Sequence, residues 1–182
     1  MLGQAFRSPP PRYPGRGAPG VDAVGAVQQK GLDFRLALLG ENFQTVPKAF
    51  IEARARFGDH IVQYGYVKTK AAYRRWLDTG DIVVSTAIQE NFGISVVEAI
   101  RCGCFPLLPN RLSYPEIIPE KFHSACLYDG QEDLVGKLIR AVTRPREIRP
   151  AARTLSASMT LFSWENLIEQ YDLELTKLVE PA

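Results

Sequence analysis

The sequence predicts an α/β domain built on a doubly wound parallel sheet. Short apolar runs recur between amphipathic stretches, and these runs are apolar throughout, as in strands covered on both faces. Successive runs are also far enough apart for a helical crossover, and such crossovers are right-handed, which winds helices onto both faces of the sheet.

The elements follow in order. Residues 1–20 hold five prolines among Gly, Ser and Arg without periodicity, and read as a disordered leader. Residues 21–31, VDAVGAVQQKG, read as the remnant of a short amphipathic helix and open the domain expected over 21–182. FRLALLG (34–40) is a buried strand, and TVPKAFIEARARFG (45–58) a helix with Pro47 in its first turn and Gly58 at its stop. IVQYG (61–65) is the second strand, TKAAYRRWLDTG (69–80) the next helix, and DIVVSTA (81–87) the third and most apolar strand. A helix over 93–101 leads to strands FPLLP (105–109) and ACLYD (125–129), with the Pro-bounded segment SYPEIIP between them. QEDLVGKLIRAVTR (131–144) and the stretch after Pro145 are helical. The last helix starts at Ser163 and sets Trp164, Leu167, Ile168, Tyr171, Leu175 and Leu178 on one face. That stripe reads as core packing, with docking against another domain as the alternative.

Composition bounds the function. The 182 residues are 46% apolar and 23% charged, as in one globular domain with a sizeable core. No apolar run reaches the ~18–20 residues of a bilayer span, and MLGQAFRSPPPRYPG lacks the apolar centre of a signal peptide, so the expected location is the cytoplasm, without a membrane partner. Cys102, Cys104 and Cys126 are too few for a disulfide framework, and with only His60 and His123 in the chain no metal site is expected. All three read as small buried hydrophobes. Residues 1–30 carry Arg7, Arg12, Arg16 and Lys30 against Asp22, a net +3, and the rest of the chain stands at −1 within the total of +2. The body therefore has no electrostatic footprint for nucleic acid.

The stretch QENFGISVVEAIRCGCFP (89–106) carries the chemistry. It leaves the third strand at its carboxyl end, where doubly wound sheets bind ligands, and opens a helix at Gly93. The N–H groups of Phe92, Gly93, Ile94 and Ser95 face outward with the positive end of the helix dipole, a site for a diphosphate, and Gly93 lets a ligand approach the backbone. Glu90 precedes this site and Glu98 follows it. Ionised carboxylates accept hydrogen bonds from neighbouring hydroxyls, so the pair would suit a sugar and a ribose joined through a diphosphate. Glutamates near a helix start also stabilise the dipole without any ligand, and spacing alone leaves both readings open.

The run E-N-F-G-x4-E-A-x2-C-G-x-x-P resembles the donor-binding signature of family 4 retaining glycosyltransferases of the GT-B fold, with Glu90 and Glu98 matching its E-x7-E pair. GLDFRLALLGENFQTVPKAF, YGYVKTKAAY and DIVVSTAIQENFGISVVEAIRCGCFPLLPNRLSYPEIIP more narrowly resemble the tRNA-queuosine mannosyltransferase group of that family. The likeness runs from about Gly31 to Val179. It implies the Rossmann-like C-terminal half of such an enzyme and transfer of a hexose, mannose from GDP-mannose, to a hydroxyl with retention, without cofactor or required metal. It implies that Glu90 is the catalytic position and contacts the sugar, and that Glu98 contacts the ribose. Phe92, Gly93 and Ile94 would cradle sugar and diphosphate, Asn91 belongs with these donor-binding positions, and Tyr66 and Val67 lie where the base is held. Queuosine in tRNA is the implied acceptor, met through an N-terminal domain that this sequence does not contain.

The resemblance also fixes a departure. The first strand of the donor domain lies mid-sheet in the family, and here its place is taken by RSPPPRYPGRGAPG, whose prolines supply no ladder N–H. A truncated or differently read N-terminus is expected, with the strands at 34–39 and 81–86 facing a gap that the leader fills irregularly or that leaves the fragment poorly stable. Turnover is not expected of this chain alone. The alternatives are a nucleotide-sugar-binding fragment without catalysis, a relative with another donor and a glycan or lipid acceptor, and an unrelated dinucleotide enzyme. The last is weakest, because neither G-x-G-x-x-G nor G-x4-G-K-[ST] is present.

Overall fold

The computed structural model describes residues 18–40, 46 and 48–179. The leader expected over 1–20 therefore lies outside the described residues up to Gly17, as do Thr45 and Pro47 of the expected helix start. The described chain opens with helix α1 (Pro19–Gln29), whose first two residues fall within the stretch expected as leader. Pro19 suits the first turn, where its missing N–H costs no bond. Val21, Ala23, Val24 and Val27 form the buried face, which packs on helix α7 (Gln131–Thr143).

Among the described residues all five strands lie in parallel pairs, as the sequence pattern predicts. Strand β1 (Leu36–Leu39) pairs with β2 (Ile61–Gly65). Strands β3 (Ile82–Val84), β4 (Phe105–Pro109) and β5 (Leu127–Tyr128) form a second group in the order β3-β4-β5. Among the described residues no strand lies between β1 and β3. Leu36 and Ala37 of β1 and Ile82 and Val84 of β3 wall one cavity of about 670 Å³, with Val24 of α1 and Leu138 of α7.

Several strands are shorter than their apolar runs. The run 81–87 leaves the ladder after Ser85, whose N–H still reaches Leu107 O at 3.1 Å, because the Ser85 hydroxyl accepts from Ala87 N at 3.2 Å and turns the chain. The run 125–129 keeps only Leu127 and Tyr128, since His123–Cys126 coils into the short helix α6. Pro106 sits inside β4 without disrupting it, because β5 pairs with β4 only at Leu108 and Pro109.

Helix α2 (Lys48–Phe57) follows β1, and α3 (Lys70–Thr79) follows β2, its N-cap Thr69 accepting from Ala72 N at 3.1 Å. Helix α4 (Ile94–Arg101) follows β3, and the SYPEIIP segment forms the one-turn helix α5 (Tyr114–Ile117). After α7 come α8 (Pro145–Ser158), a 3₁₀ turn (Met159–Phe162) and α9 (Trp164–Val179). One hydrophobic core joins Leu38, Val83, Ile100, Leu107, Leu134 and Leu155.

The reading of the last helix as core packing is corrected. Trp164 is 62% exposed and Tyr171 55%, and Ile168 and Leu175 are also exposed; Leu178 lies outside the described side chains. The helix leans on the 3₁₀ turn, and of the stripe only Leu167 is half-buried, so most of it stays exposed among the described residues.

Candidate functional site

The loop leaving β3 is built around Gly93. Gly93 caps α4 with φ +89°, in the left-handed region that favours glycine. A Cβ placed there would lie 3.2 Å from the Tyr114 ring and 3.3 Å from Ile117, so both conformation and space exclude a side chain. Gly93 O accepts from Val96 N at 2.9 Å and Val97 N at 3.0 Å. The N–H groups of Gly93, Ile94 and Ser95 have no protein acceptor among the described residues and form the open end of the helix.

The predicted site residues fall around this end. Glu90 is half-buried and its Oε1 accepts from Asn91 N at 3.1 Å. Asn91, Phe92 and Ile94 are exposed, and the Phe92 ring meets Phe162 edge-on at 5.5 Å. Glu98 is exposed on α4, and its Oε2 accepts from Tyr73 Oη at 3.1 Å. Burial, then the Glu98 carboxylate, holds the Tyr73 hydroxyl well above the usual tyrosine pKa, so it stays a donor to Glu98. Tyr73 follows the Tyr66–Val67 loop on α3 and ties Glu98 to that neighbourhood. Tyr66 is 59% exposed and Val67 half-buried, and no hydrogen bond or ion pair joins either to Glu90 or Glu98. No hydrogen bond joins the two glutamates. Along the chain Glu90 precedes the free helix end and Glu98 follows it.

A polar cluster that the sequence reading did not identify lies beneath the loop. Ser85 is buried, and its hydroxyl lies 2.8 Å from the Tyr114 hydroxyl. Tyr128 Oη donates to Ser85 O at 2.8 Å. Burial pushes the Tyr114 hydroxyl up, the Ser85 hydrogen bond draws it down, and the Glu90 charge raises it again. The SYPEIIP run stood out as distinctive, but nothing in its composition assigned Tyr114 to the loop twenty residues upstream.

The cysteines behave largely as small hydrophobes. Cys104 and Cys126 are buried, and burial pushes their thiols up to about 11 and about 12. Cys104 Sγ donates to Gly80 O at 3.2 Å and Leu77 O at 3.4 Å. Cys102 is only half-buried, which corrects the expectation that all three are interior; it caps the end of α4. No group of three or more His, Cys, Asp or Glu among the described residues could hold a metal, and no described helix is long and apolar enough to cross a membrane.

Comparison with known proteins identifies the family. The family model described as glycosyl transferases group 1 matches residues 21–154. The chain is 33% identical over 153 residues to a tRNA-queuosine alpha-mannosyltransferase of Drosophila melanogaster, covering 83% of this chain and 39% of that protein. It is 25% identical over 146 residues to a GDP-mannose-dependent alpha-(1-6)-phosphatidylinositol dimannoside mannosyltransferase of Mycobacterium tuberculosis, covering 80% of this chain and 36% of the relative. The chain thus spans less than two fifths of the length of these relatives. A parallel α/β core, a helix opening at a left-handed glycine between two glutamates, and a family match over most of the described residues meet in one statement: the chain belongs to the group 1 glycosyl transferases.

Proposed function

We propose that this chain is the donor-binding part of a retaining mannosyltransferase and that its ligand is GDP-mannose. The observation that carries the reading is the open run of N–H groups at Gly93–Ser95, which Glu90 precedes and Glu98 follows in the chain. Free N–H groups and the helix dipole favour a diphosphate, and the left-handed glycine lets it approach the backbone. Glu90 acts as the catalytic position, accepting hydrogen bonds from the transferred sugar, while Glu98 grips the ribose. Asn91, Phe92, Gly93 and Ile94 line the sugar and diphosphate, and Tyr66 and Val67 hold the base. Glu98 has one oxygen engaged by Tyr73, which leaves the other for a ribose hydroxyl.

The GDP-mannose dependence of the mycobacterial relative supports the donor, and the tRNA-queuosine specificity of the Drosophila relative supports queuosine in tRNA as acceptor. The acceptor would be met by polypeptide equivalent to the three fifths of those relatives that this chain does not cover. The cytoplasm is where such an acceptor is found. A lipid-linked acceptor is the second reading, favoured by the phosphatidylinositol dimannoside of the mycobacterial relative.

Calorimetry of the full chain with GDP-mannose, a UDP-hexose and NAD tests the donor. GDP-mannose should bind most tightly. Preference for NAD would overturn the reading.

A further inference from the structure

We infer that residues 110–118 form a brace that fixes the loop 85–93 at both ends, with Ser113 and Tyr114 as positioning residues for the Phe92–Gly93 peptide and for Glu90. The inference rests on the donor reading above and extends it to residues outside the E-x7-E pair.

The chain leaves β4 at Pro109 and turns sharply, with Arg111 N bonding Pro109 O at 2.7 Å. Leu112 takes φ +61°, which among the described non-glycine residues occurs only there. An L side chain adopts that conformation against a steric penalty, and such residues cluster where a geometry is over-determined by its surroundings. The left-handed residue separates two side chains that reach opposite ends of the loop. Arg111 Nη2 donates to Ala87 O at 2.9 Å, near the start. Ser113 Oγ donates to Phe92 O at 3.0 Å, at the finish. Tyr114 acts at both, its hydroxyl on Ser85 and its ring under Gly93.

The Ser113 bond has a directional consequence. The Phe92 carbonyl and the Gly93 N–H belong to one planar trans peptide and point opposite ways. Holding the carbonyl toward Ser113 therefore aims the Gly93 N–H away from the brace, toward the open helix end. Glu90 and Asn91 hang between the two clamped ends, and their placement follows from both.

The brace is itself anchored. Asn110 N donates to Tyr128 O at 2.9 Å, and Asn110 Nδ2 to Asp129 Oδ1 at 2.9 Å. At the far end His123 Nε2 lies 2.7 Å from Ile118 O and 3.0 Å from Pro115 O; both partners are carbonyls, so this nitrogen carries the proton. The loops leaving β3, β4 and β5 thereby become one hydrogen-bonded unit, with α5 as its rigid piece.

The test compares the full chain with Ser113→Ala, Ser113→Thr and Tyr114→Phe, by backbone ¹⁵N relaxation without ligand and by calorimetry with GDP and GDP-mannose. In the parent, loop residues 87–93 should show order parameters near the ~0.85 of rigid backbone. Ser113→Ala should lower those of Phe92 and Gly93 toward ~0.6 while β4 and α7 keep theirs, and Ser113→Thr should restore them. Tyr114→Phe retains the ring under Gly93 and should loosen the Ser85–Ala87 end. Ser113→Ala should weaken GDP-mannose roughly fivefold more than GDP, a split that general destabilisation would not produce. Unchanged loop order in both Ser113→Ala and Tyr114→Phe, or equal losses for the two ligands, would overturn the brace. Failure of the parent to bind either ligand, with the loop still loosened by Ser113→Ala, would sink the donor reading and leave the brace standing.

Discussion

The loops leaving β2 and β3 are built in opposite ways. The loop after β3 is tied by side chains from a distant segment, with Ser85 under Tyr114, Ala87 held by Arg111 and Phe92 by Ser113. The loop after β2 carries Tyr66 into solvent, and its Thr69 hydroxyl is spent on capping α3 at Ala72 N rather than on holding the loop. On the donor reading this difference has a physical sense. Where a sugar must be presented for bond breaking, a misplaced group costs rate, so the backbone is fixed before the ligand arrives. Where a base is held, a stacking or apolar contact tolerates some motion.

The contrast can be broken most severely at Tyr114. Tyr114→Ala empties a fully buried site and should cost about 3–5 kcal/mol of stability. Tyr66→Ala should stay within about 0.5 kcal/mol. Urea unfolding of the two variants checks the pair, and similar midpoint shifts would erase the distinction. Next in size is Gly93→Ala, which combines a left-handed backbone with the approach to Tyr114 and Ile117; it should cost about 2 kcal/mol, read as a fall in Tm.

A smaller effect belongs to a bond that joins the two neighbourhoods. Tyr73→Phe releases Glu98 Oε2 and should weaken GDP binding by about 1 kcal/mol without altering the loop after β3. Calorimetry measures it, and an unchanged affinity would show that Glu98 needs no positioning. The smallest effect is expected far from both loops. Trp164→Ser with Tyr171→Ser on the exposed stripe of α9 should alter stability by less than about 0.5 kcal/mol per site, since little buried area is lost. A large fall in Tm would mean that the stripe packs against this chain after all.

Periodicity made the α/β class legible, because uniformly apolar runs separated by amphipathic ones have few other solutions. It could not show where strands stop. Ser85 ends β3 early through its hydroxyl, which accepts from Ala87 N, and Cys126 reads as strand but coils into α6. The helix start at Gly93 was legible from the residue type and its place after an apolar run. The support of that start was not, because Ser113, Tyr114 and Arg111 act across the gap between two strand ends, and nothing local in their sequence marks the partner. The α9 stripe shows the converse: amphipathic spacing is plain in the sequence, but whether a surface covers it depends on tertiary context.

The central claim is that Glu90 and Glu98 serve different ends of one ligand. Calorimetry of Glu90→Gln, Glu98→Gln and the control Glu132→Gln, an exposed carboxylate on α7, with GDP and with GDP-mannose tests it most directly. Glu98→Gln should weaken both ligands by about 1–3 kcal/mol, since both contain the ribose. Glu90→Gln should spare GDP and weaken GDP-mannose, and the control should change neither. Equal losses of GDP affinity in Glu90→Gln and Glu98→Gln would contradict the assignment of separate roles.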